Sequence, residues 1–155
     1  MKVAIAVIDA NVVVSGLLTA DPTAPTARIL DAMMAGRLEF LVSLDLLAEY
    51  RTVLARPRIV ARHGLSLHEI DRILNEIALA AIVREPDPDA PPAPDPGDDH
   101  LWGLLAAVPG AVLVTGDALL HQRPPDEHSV ISPRAFVDAW PSGPGPWSAR
   151  PRVGS

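Results

Sequence analysis

The fold is decided near the start of the chain by the stretch Val3-Ala4-Ile5-Ala6-Val7-Ile8-Asp9. An unbroken apolar run predicts a strand that is buried on both faces, and such strands are typical of parallel sheets. Asp9 ends the run, so we expect its carboxylate just beyond the carboxyl end of the strand. Ligands bind at that edge in open parallel sheets. The run therefore predicts an α/β fold and the edge at which a functional site would lie.

The rest of the chain alternates between strand and helix patterns. Strands are predicted at residues 39–42, 80–84, 111–114 and 130–131. Helices are predicted at residues 12–18, 26–35, 44–55, 98–108 and 133–140, with another that starts after Ser66 and includes residues 70–77. Strands that alternate with helices indicate a parallel sheet covered on both faces.

Proline and composition define the organisation of the chain. Its 155 residues favour one domain. Six prolines between residues 86 and 96 predict an extended connector at 85–97 within a domain spanning 1–140, and four between 141 and 151 predict a disordered tail at 141–155. No segment reaches the ~20 apolar residues of a membrane span, and no complete signal peptide is present. We therefore expect a cytoplasmic protein that does not associate with membranes.

The charge and cysteine counts exclude several function classes. The chain has 19 acidic and 13 basic residues and a formal charge of −6, which argues against a simple basic surface for nucleic acid. The absence of cysteine excludes disulfides, thiolate zinc sites and a cysteine nucleophile. The five histidines show no zinc-ligand spacing and are expected on the surface or in support of a site. Nucleic acid remains a possible ligand where a cation stands between the protein and phosphate.

Acidic residues from separate segments are expected at one edge of the sheet. Asp9 and Asp117 each follow a predicted central strand, and Asp98 and Asp99 open the helix that leads into the second of these strands. Glu49 borders the apolar stripe of its own helix. Crowded carboxylates are costly to ionise unless a cation compensates, and oxygen ligands suit Mg²⁺ or Mn²⁺. Each residue also has a simpler interpretation as a turn residue, a helix cap or a solvated side chain, so only the joint placement favours a site.

Most of the positive charge is arginine, and four arginines follow Glu49 closely. They form a candidate phosphate-contact patch, and the alternative is a solvated helix end. The members of this patch are Arg51, Arg56, Arg58 and Arg62. The sequence contains neither a phosphate-binding Gly-rich loop nor a Gly-x-Ser-x-Gly elbow.

Several motifs, in order, resemble the PIN-domain family. The opening is VIDANVVVSG at residues 7–16, and the later acidic motifs are DPGDDH at 95–100 and LVTGD at 113–117. Residues 43–57 resemble the second motif of that family, and residues 130–136 resemble its closing segment. The subgroup that the chain resembles most is that of the VapC-like toxins of type II toxin–antitoxin pairs.

The resemblance implies a three-layer α/β/α, Rossmann-like fold and a metal-dependent endoribonuclease. It matches Asp9, Glu49, Asp99 and Asp117 to the acidic quartet of the family, with Asp98 as a further metal ligand. Supporting polar positions are matched by Asn11, Ser43 and Thr115, and Asp95 lies close enough to the third motif to support it. Members commonly form homodimers, and the toxins bind an antitoxin protein.

The sequence thus predicts a Mg²⁺- or Mn²⁺-dependent, single-strand-specific RNA endonuclease. In this interpretation Asp9, Asp99 and Asp117 hold the metal, and Glu49 completes the site or orients the attacking water. One alternative is a non-catalytic PIN-fold module that binds RNA or protein. Another is a phosphoaspartyl receiver or phosphatase with Asp9 as nucleophile, which is disfavoured because Asn11 stands where a second acid is needed and Lys2 is the only lysine.

Overall fold

The computed structural model describes residues 5–122, 124 and 128–139. They form a parallel sheet of five strands in the order β3-β2-β1-β4-β5. The strands are β1 (Ala6–Ile8), β2 (Phe40–Val42), β3 (Ile82–Val83), β4 (Val112–Val114) and β5 (Ser129–Ile131).

Helices pack on this sheet in a three-layer α/β/α arrangement, which confirms the predicted fold class. Within the described residues they are α1 (Ala10–Leu18), α2 (Pro25–Met34), α3 (Leu44–Leu54), α4 (Pro57–His63), α5 (Leu67–Ala80), α6 (Asp99–Ala107), α7 (Ala118–Gln122) and α8 (Pro133–Asp138). A 3₁₀ turn, Pro96–Asp98, precedes α6. None of the helices in these ranges is both long and apolar enough to cross a membrane.

The central strands explain the position of the site. Every residue of β1 is inaccessible to solvent, as expected for a strand with neighbours on both edges and helices on both faces. β1 pairs in parallel with β4, with Ile8 opposite Val114. This register carries the next residue of each strand, Asp9 and Thr115, to the same edge of the sheet.

Local sequence signals account for most element boundaries. Ser43 caps α3 through a 3.0 Å hydrogen bond from Leu46 N, and Ser66 and Glu69 form a capping box at the start of α5. Both helices begin where the sequence predicts. α1 begins at Ala10, two residues earlier than predicted, because the Asp9 side chain caps it by accepting a hydrogen bond from Ala10 N.

Two helices differ from the sequence expectation. α4 is absent from the sequence prediction, because a proline after residue 55 indicates the end of a helix rather than the start of another. Pro57 instead occupies the first position of a new helix, where proline fits because its missing N–H has no partner to lose. The short α7 was also not predicted. The predicted tail at 141–155 and the domain boundary at residue 140 lie outside the described residues.

Candidate active site

The site is built around Asp9, which lies directly after β1 and is only 6% exposed. Asp9 Oδ1 accepts a 2.8 Å hydrogen bond from Ala10 N, and Oδ2 accepts a 2.7 Å hydrogen bond from the Thr115 hydroxyl. Burial raises the pKa of Asp9, and the charges of Glu49 and Asp117 raise it further, against the lowering effect of the hydrogen bond from Thr115. The Asp9 carboxylate is therefore largely removed from water and is also affected by the negative charges of other carboxylates.

Thr115 connects the polar groups that follow the two central strands. Its hydroxyl donates to Asp9 and accepts hydrogen bonds from Asn11 Nδ2 at 3.3 Å and Asp117 N at 3.0 Å. These three contacts use the single donor and both acceptor positions of a hydroxyl. Since Thr115 is fully buried, the hydroxyl fixes the arrangement of three predicted site residues.

Asn11 and Asp117 complete this side of the site. Asn11 Oδ1 accepts a 3.4 Å hydrogen bond from Gly116 N, so the side chain joins α1 to the loop after β4. Asp117 Oδ1 accepts a 2.9 Å hydrogen bond from Leu119 N at the start of α7. Asp117 thus occupies a turn, as its simpler interpretation predicts, and its charge also acts on Asp9.

Asp98, at the start of α6, is electrostatically coupled to Asp9, Glu49 and Asp117, and these four residues form the carboxylate group of the site. It occupies the N-cap position, yet its side chain makes no capping hydrogen bond. Burial raises the pKa of Asp98 to about 6, with further contributions from Asp9, Asp95, Glu49 and Asp117. Several carboxylates therefore act on Asp98, and its side chain makes no capping hydrogen bond, which argues against a simple capping role.

Asp99 is placed differently from its neighbour. Its exposed side chain accepts a 2.8 Å hydrogen bond at Oδ1 from Ala93 N, in the connector. The Asp98 carboxylate is thus coupled to the other carboxylates of the site, whereas the Asp99 carboxylate contacts the connector. Asp95 accepts a 2.8 Å hydrogen bond from Gly97 N and shapes the 3₁₀ turn that precedes both residues.

Glu49, on α3, is the member of the carboxylate group that contacts a histidine. Its Oε2 lies 3.1 Å from His100 Nε2. This hydrogen-bonding contact, together with the negative charge of Glu49, raises the pKa of His100 against the lowering effect of burial. Within the described part of the chain, Glu49 Oε2 and the buried His100 Nδ1 have no hydrogen-bond partner, so the contact is an ion pair with imperfect hydrogen-bond geometry. The next residue, Tyr50, is fully buried, and its hydroxyl donates a hydrogen bond to Ile8 O.

The sequence did not identify the roles of Tyr50, His100 and His121. In the sequence, Tyr50 counts as one of the apolar residues of the helix predicted at 44–55, and the polar end of a tyrosine gives no separate signal. His121 Nε2 lies 2.7 Å from Thr115 O, and since a carbonyl only accepts, the histidine nitrogen donates. The general expectation that histidines support a site could have indicated His100, which lies two residues from Asp98.

The predicted arginine patch is divided by the structure. Arg51 forms a 2.9 Å ion pair with Asp71 of α5, and both side chains are about half exposed. Arg56 and Arg58 are exposed at the start of α4. Arg62 lines a depression of about 420 Å³ that also reaches Asn11. Of the four arginines, Arg62 is therefore the one that shares a depression with Asn11, whose side chain donates to Thr115 in the site.

The donor chemistry of this group fits a hard divalent cation. Asp9 and Asp98 are carboxylates whose pKa values are raised by burial and by other carboxylates, and a cation would relieve both effects. Among the described side chains, no three acidic or histidine residues form a ready-made metal cage. Mg²⁺ commonly binds through one or two carboxylates and keeps several waters, so an open arrangement suits it.

Comparison with known families identifies the class of protein. The profile of the PIN domain family matches residues 5–119, about three quarters of the chain. The chain belongs to the PIN domain family, whose members are generally nucleases. The matched range includes the central strands, Asp9, Glu49, Asp98, Asp99 and Asp117, whereas the closing segment at 130–136 lies beyond it. No curated protein matches the chain by sequence.

Proposed function

We propose that the protein is a Mg²⁺- or Mn²⁺-dependent endoribonuclease that cleaves single-stranded RNA. The observation that carries the proposal is the electrostatic coupling of carboxylates from separate segments at the carboxyl edge of the sheet. Asp9, Asp95, Glu49 and Asp117 all raise the pKa of Asp98, and Glu49 and Asp117 also raise the pKa of Asp9. A fold gains no stability from such a group by itself, and a bound cation would compensate its charge.

Asp9, Asp98 and Asp117 are the residues proposed to hold the metal. Bound there, a divalent ion would activate water and stabilise negative charge during phosphodiester cleavage. Asp98 replaces Asp99 as the proposed third ligand, because the Asp99 carboxylate contacts the connector and the Asp98 carboxylate is electrostatically coupled to Asp9.

The other polar residues orient the proposed ligands and the substrate. Thr115 holds Asp9 and Asn11 in fixed positions, and His100 holds the Glu49 carboxylate beside the group. The role proposed for Glu49 is to orient the water that attacks the phosphate. Arg62, which lines the same depression as Asn11, is the proposed contact for a neighbouring phosphate of the RNA strand.

The preference for single-stranded RNA and the role as a toxin rest on the resemblance to VapC-like proteins. For a toxin, we further propose a homodimer and an antitoxin protein as partners. Several large apolar side chains of the described chain are exposed and available for protein contacts: Leu44, Leu67, Leu79, Val83 and Leu119. Growth arrest on induced expression in a bacterial host, absent for Asp9→Asn, is the result expected of a toxin.

The test of the enzymatic proposal is cleavage of total RNA by purified protein, followed by sequencing of the product ends. With Mg²⁺ or Mn²⁺ the wild type should give defined ends, and EDTA or the Asp9→Asn substitution should remove them. Defined ends that persist in EDTA would contradict the metal requirement. Mn²⁺ binding without cleavage would favour the non-catalytic binding module, and the family match gives no support to a phosphoaspartyl protein.

A further inference from the structure

The proline-rich connector is attached to α6 in an ordered way. Ala93 is the only residue from 91 to 94 with a backbone N–H, because the other three are prolines. That N–H donates to Asp99 Oδ1 at 2.8 Å. Earlier in the connector, Asp87 N donates to Gly103 O, also at 2.8 Å. Two of the few available donors of the connector therefore bind one helix.

The connector packs directly against α6 at Gly103, because glycine has no side chain there. A Cβ atom at position 103 would lie 2.8 Å from Pro86 Cβ and 3.2 Å from Asp87 O, closer than normal packing permits. Asp99 and Gly103 are four residues apart, so they lie on the same face of α6. Since Leu101 and Leu105 pack in the core on other faces, α6 is held between the core and the connector.

We propose that the connector is a strap that orients the first turn of α6 and thereby directs Asp98 toward Asp9. In this role Asp99 and Gly103 are positioning residues, and neither touches the metal. Asp98 is the N-cap residue directly before Asp99, so a strap that holds Asp99 also fixes the backbone from which the Asp98 side chain projects. The inference rests on the proposed metal site, because its effect is the placement of one ligand of that site.

The composition of the connector suits such a strap. Proline restricts the unfolded chain, so an ordered proline-rich segment loses less conformational entropy than a flexible segment of equal length. The hydrogen bond from Ala93 N to a carboxylate is charge-assisted and is stronger than a bond between neutral groups. A stiff segment fixed at Asp87 and Ala93 can therefore hold α6 in one orientation.

The test is calorimetric Mn²⁺ binding to the full chain, with two substitutions at Asp99. Asp99→Ala removes the acceptor for Ala93 N and should raise the Kd for Mn²⁺ about tenfold, as is typical when a group that orients a metal ligand is lost. Asp99→Asn keeps an oxygen acceptor and removes the charge, so its Kd should stay near that of the wild type. Asp89→Ala, an exposed acidic position in the same connector, is the matched control and should also bind like the wild type.

These variants separate a strap from a direct ligand. Equal loss of binding in Asp99→Asn and Asp99→Ala would mean that the charge itself binds the metal, and it would overturn the proposal. Wild-type affinity in Asp99→Ala would also overturn it. If the wild type binds no Mn²⁺, the proposed metal site fails and the strap loses its role with it, whereas the other outcomes leave the metal site intact.

Gly103→Ala tests the same strap at its second attachment, without a change of charge. The added methyl group should displace Pro86, weaken Mn²⁺ binding and increase hydrogen exchange at the Ala93 amide, measured by NMR in the metal-free protein. Asp99→Ala should increase the same exchange rate. Faster exchange at Ala93 together with unchanged Mn²⁺ affinity would show that the strap does not position Asp98, and would contradict the inference.

Discussion

The two sides of the candidate site are held by different kinds of structure. On the sheet side, Asp9, Thr115 and Asp117 follow paired central strands, and a buried hydroxyl connects them by hydrogen bonds of 2.7 to 3.0 Å. On the helix side, Glu49 lies within α3 and contacts His100, and Asp98 lies at the start of α6, where its neighbour Asp99 contacts an irregular connector. The sheet side is fixed by the core of the fold, whereas the helix side depends on a few separate contacts. This difference predicts that substitutions on the sheet side have the larger effects.

The largest effect is expected from Asp9→Asn. Loss of the central carboxylate should lower the cleavage rate by about 10³-fold or more, since a metal ion contributes several kcal/mol to stabilisation of the transition state. Circular dichroism should remain that of the folded protein. Asp31→Asn, at an exposed position of α2, is the matched control and should cleave like the wild type. Metal-dependent cleavage by Asp9→Asn at the wild-type rate would show that Asp9, the central residue of the sheet side, is not needed for the reaction.

A smaller effect is expected from Thr115→Val, which keeps the shape of the side chain and removes the hydroxyl. Cleavage should fall about 10- to 100-fold, the usual cost when a group that orients a metal ligand is lost. The free energy of unfolding should fall by about 1–3 kcal/mol, because Asp9 and Asn11 lose a buried partner. Thr115→Ser should restore most of both quantities. An inactive Thr115→Ser of normal stability would show that hydrogen bonding does not explain the role of Thr115.

On the helix side, His100→Ala should lower the cleavage rate about tenfold, equivalent to ~1.4 kcal/mol. The expected cause is loss of the group that holds the Glu49 carboxylate. Because this role is positional, His100→Gln, which keeps a side-chain donor, should recover part of the rate, while Mn²⁺ affinity should change little in either variant. A strong loss of Mn²⁺ affinity in His100→Ala would mean that the histidine supports the metal ligands directly.

The smallest effect is expected in the pH dependence of stability. The pKa of Asp98 is raised from 3.8 to about 6 in the folded protein, so the folded state binds this proton more tightly than the unfolded state does. The resulting stabilisation of the metal-free protein is present below about pH 4 and is lost as the pH rises through about 6. Melting temperatures measured in EDTA should therefore fall less over this range for Asp98→Asn than for the wild type. An equal change of melting temperature with pH in Asp98→Asn and in the wild type would contradict the assigned environment of Asp98.

The same comparison explains which parts of the molecule the sequence could predict. The apolar run before Asp9 and the run before Thr115 specify central strands, and a residue that ends such a strand must lie at the carboxyl edge. The fold class and the position of Asp9 therefore follow from local patterns. The capping residues Ser43 and Ser66 are likewise local signals, and the helices begin where they indicate.

The helix side could not be predicted in this way. Asp98 and Asp99 are adjacent and chemically identical, and their different directions depend on a contact between Asp99 and Ala93 that no periodicity encodes. The ion pair of His100 with Glu49 joins α6 to α3 across the fold and has no sequence signature either. The resemblance to the family matched Asp99 to the third ligand, whereas the geometry favours Asp98 for that role.

The most direct test of the account is calorimetric Mn²⁺ binding by the wild type, Asp9→Asn and Asp98→Asn under one set of conditions. The account holds that one metal site takes ligands from both sides. It predicts that the wild type binds Mn²⁺ and that each substitution removes the same binding event. Wild-type Mn²⁺ binding by Asp98→Asn, or by Asp9→Asn, would contradict a site shared between the sheet side and the helix side.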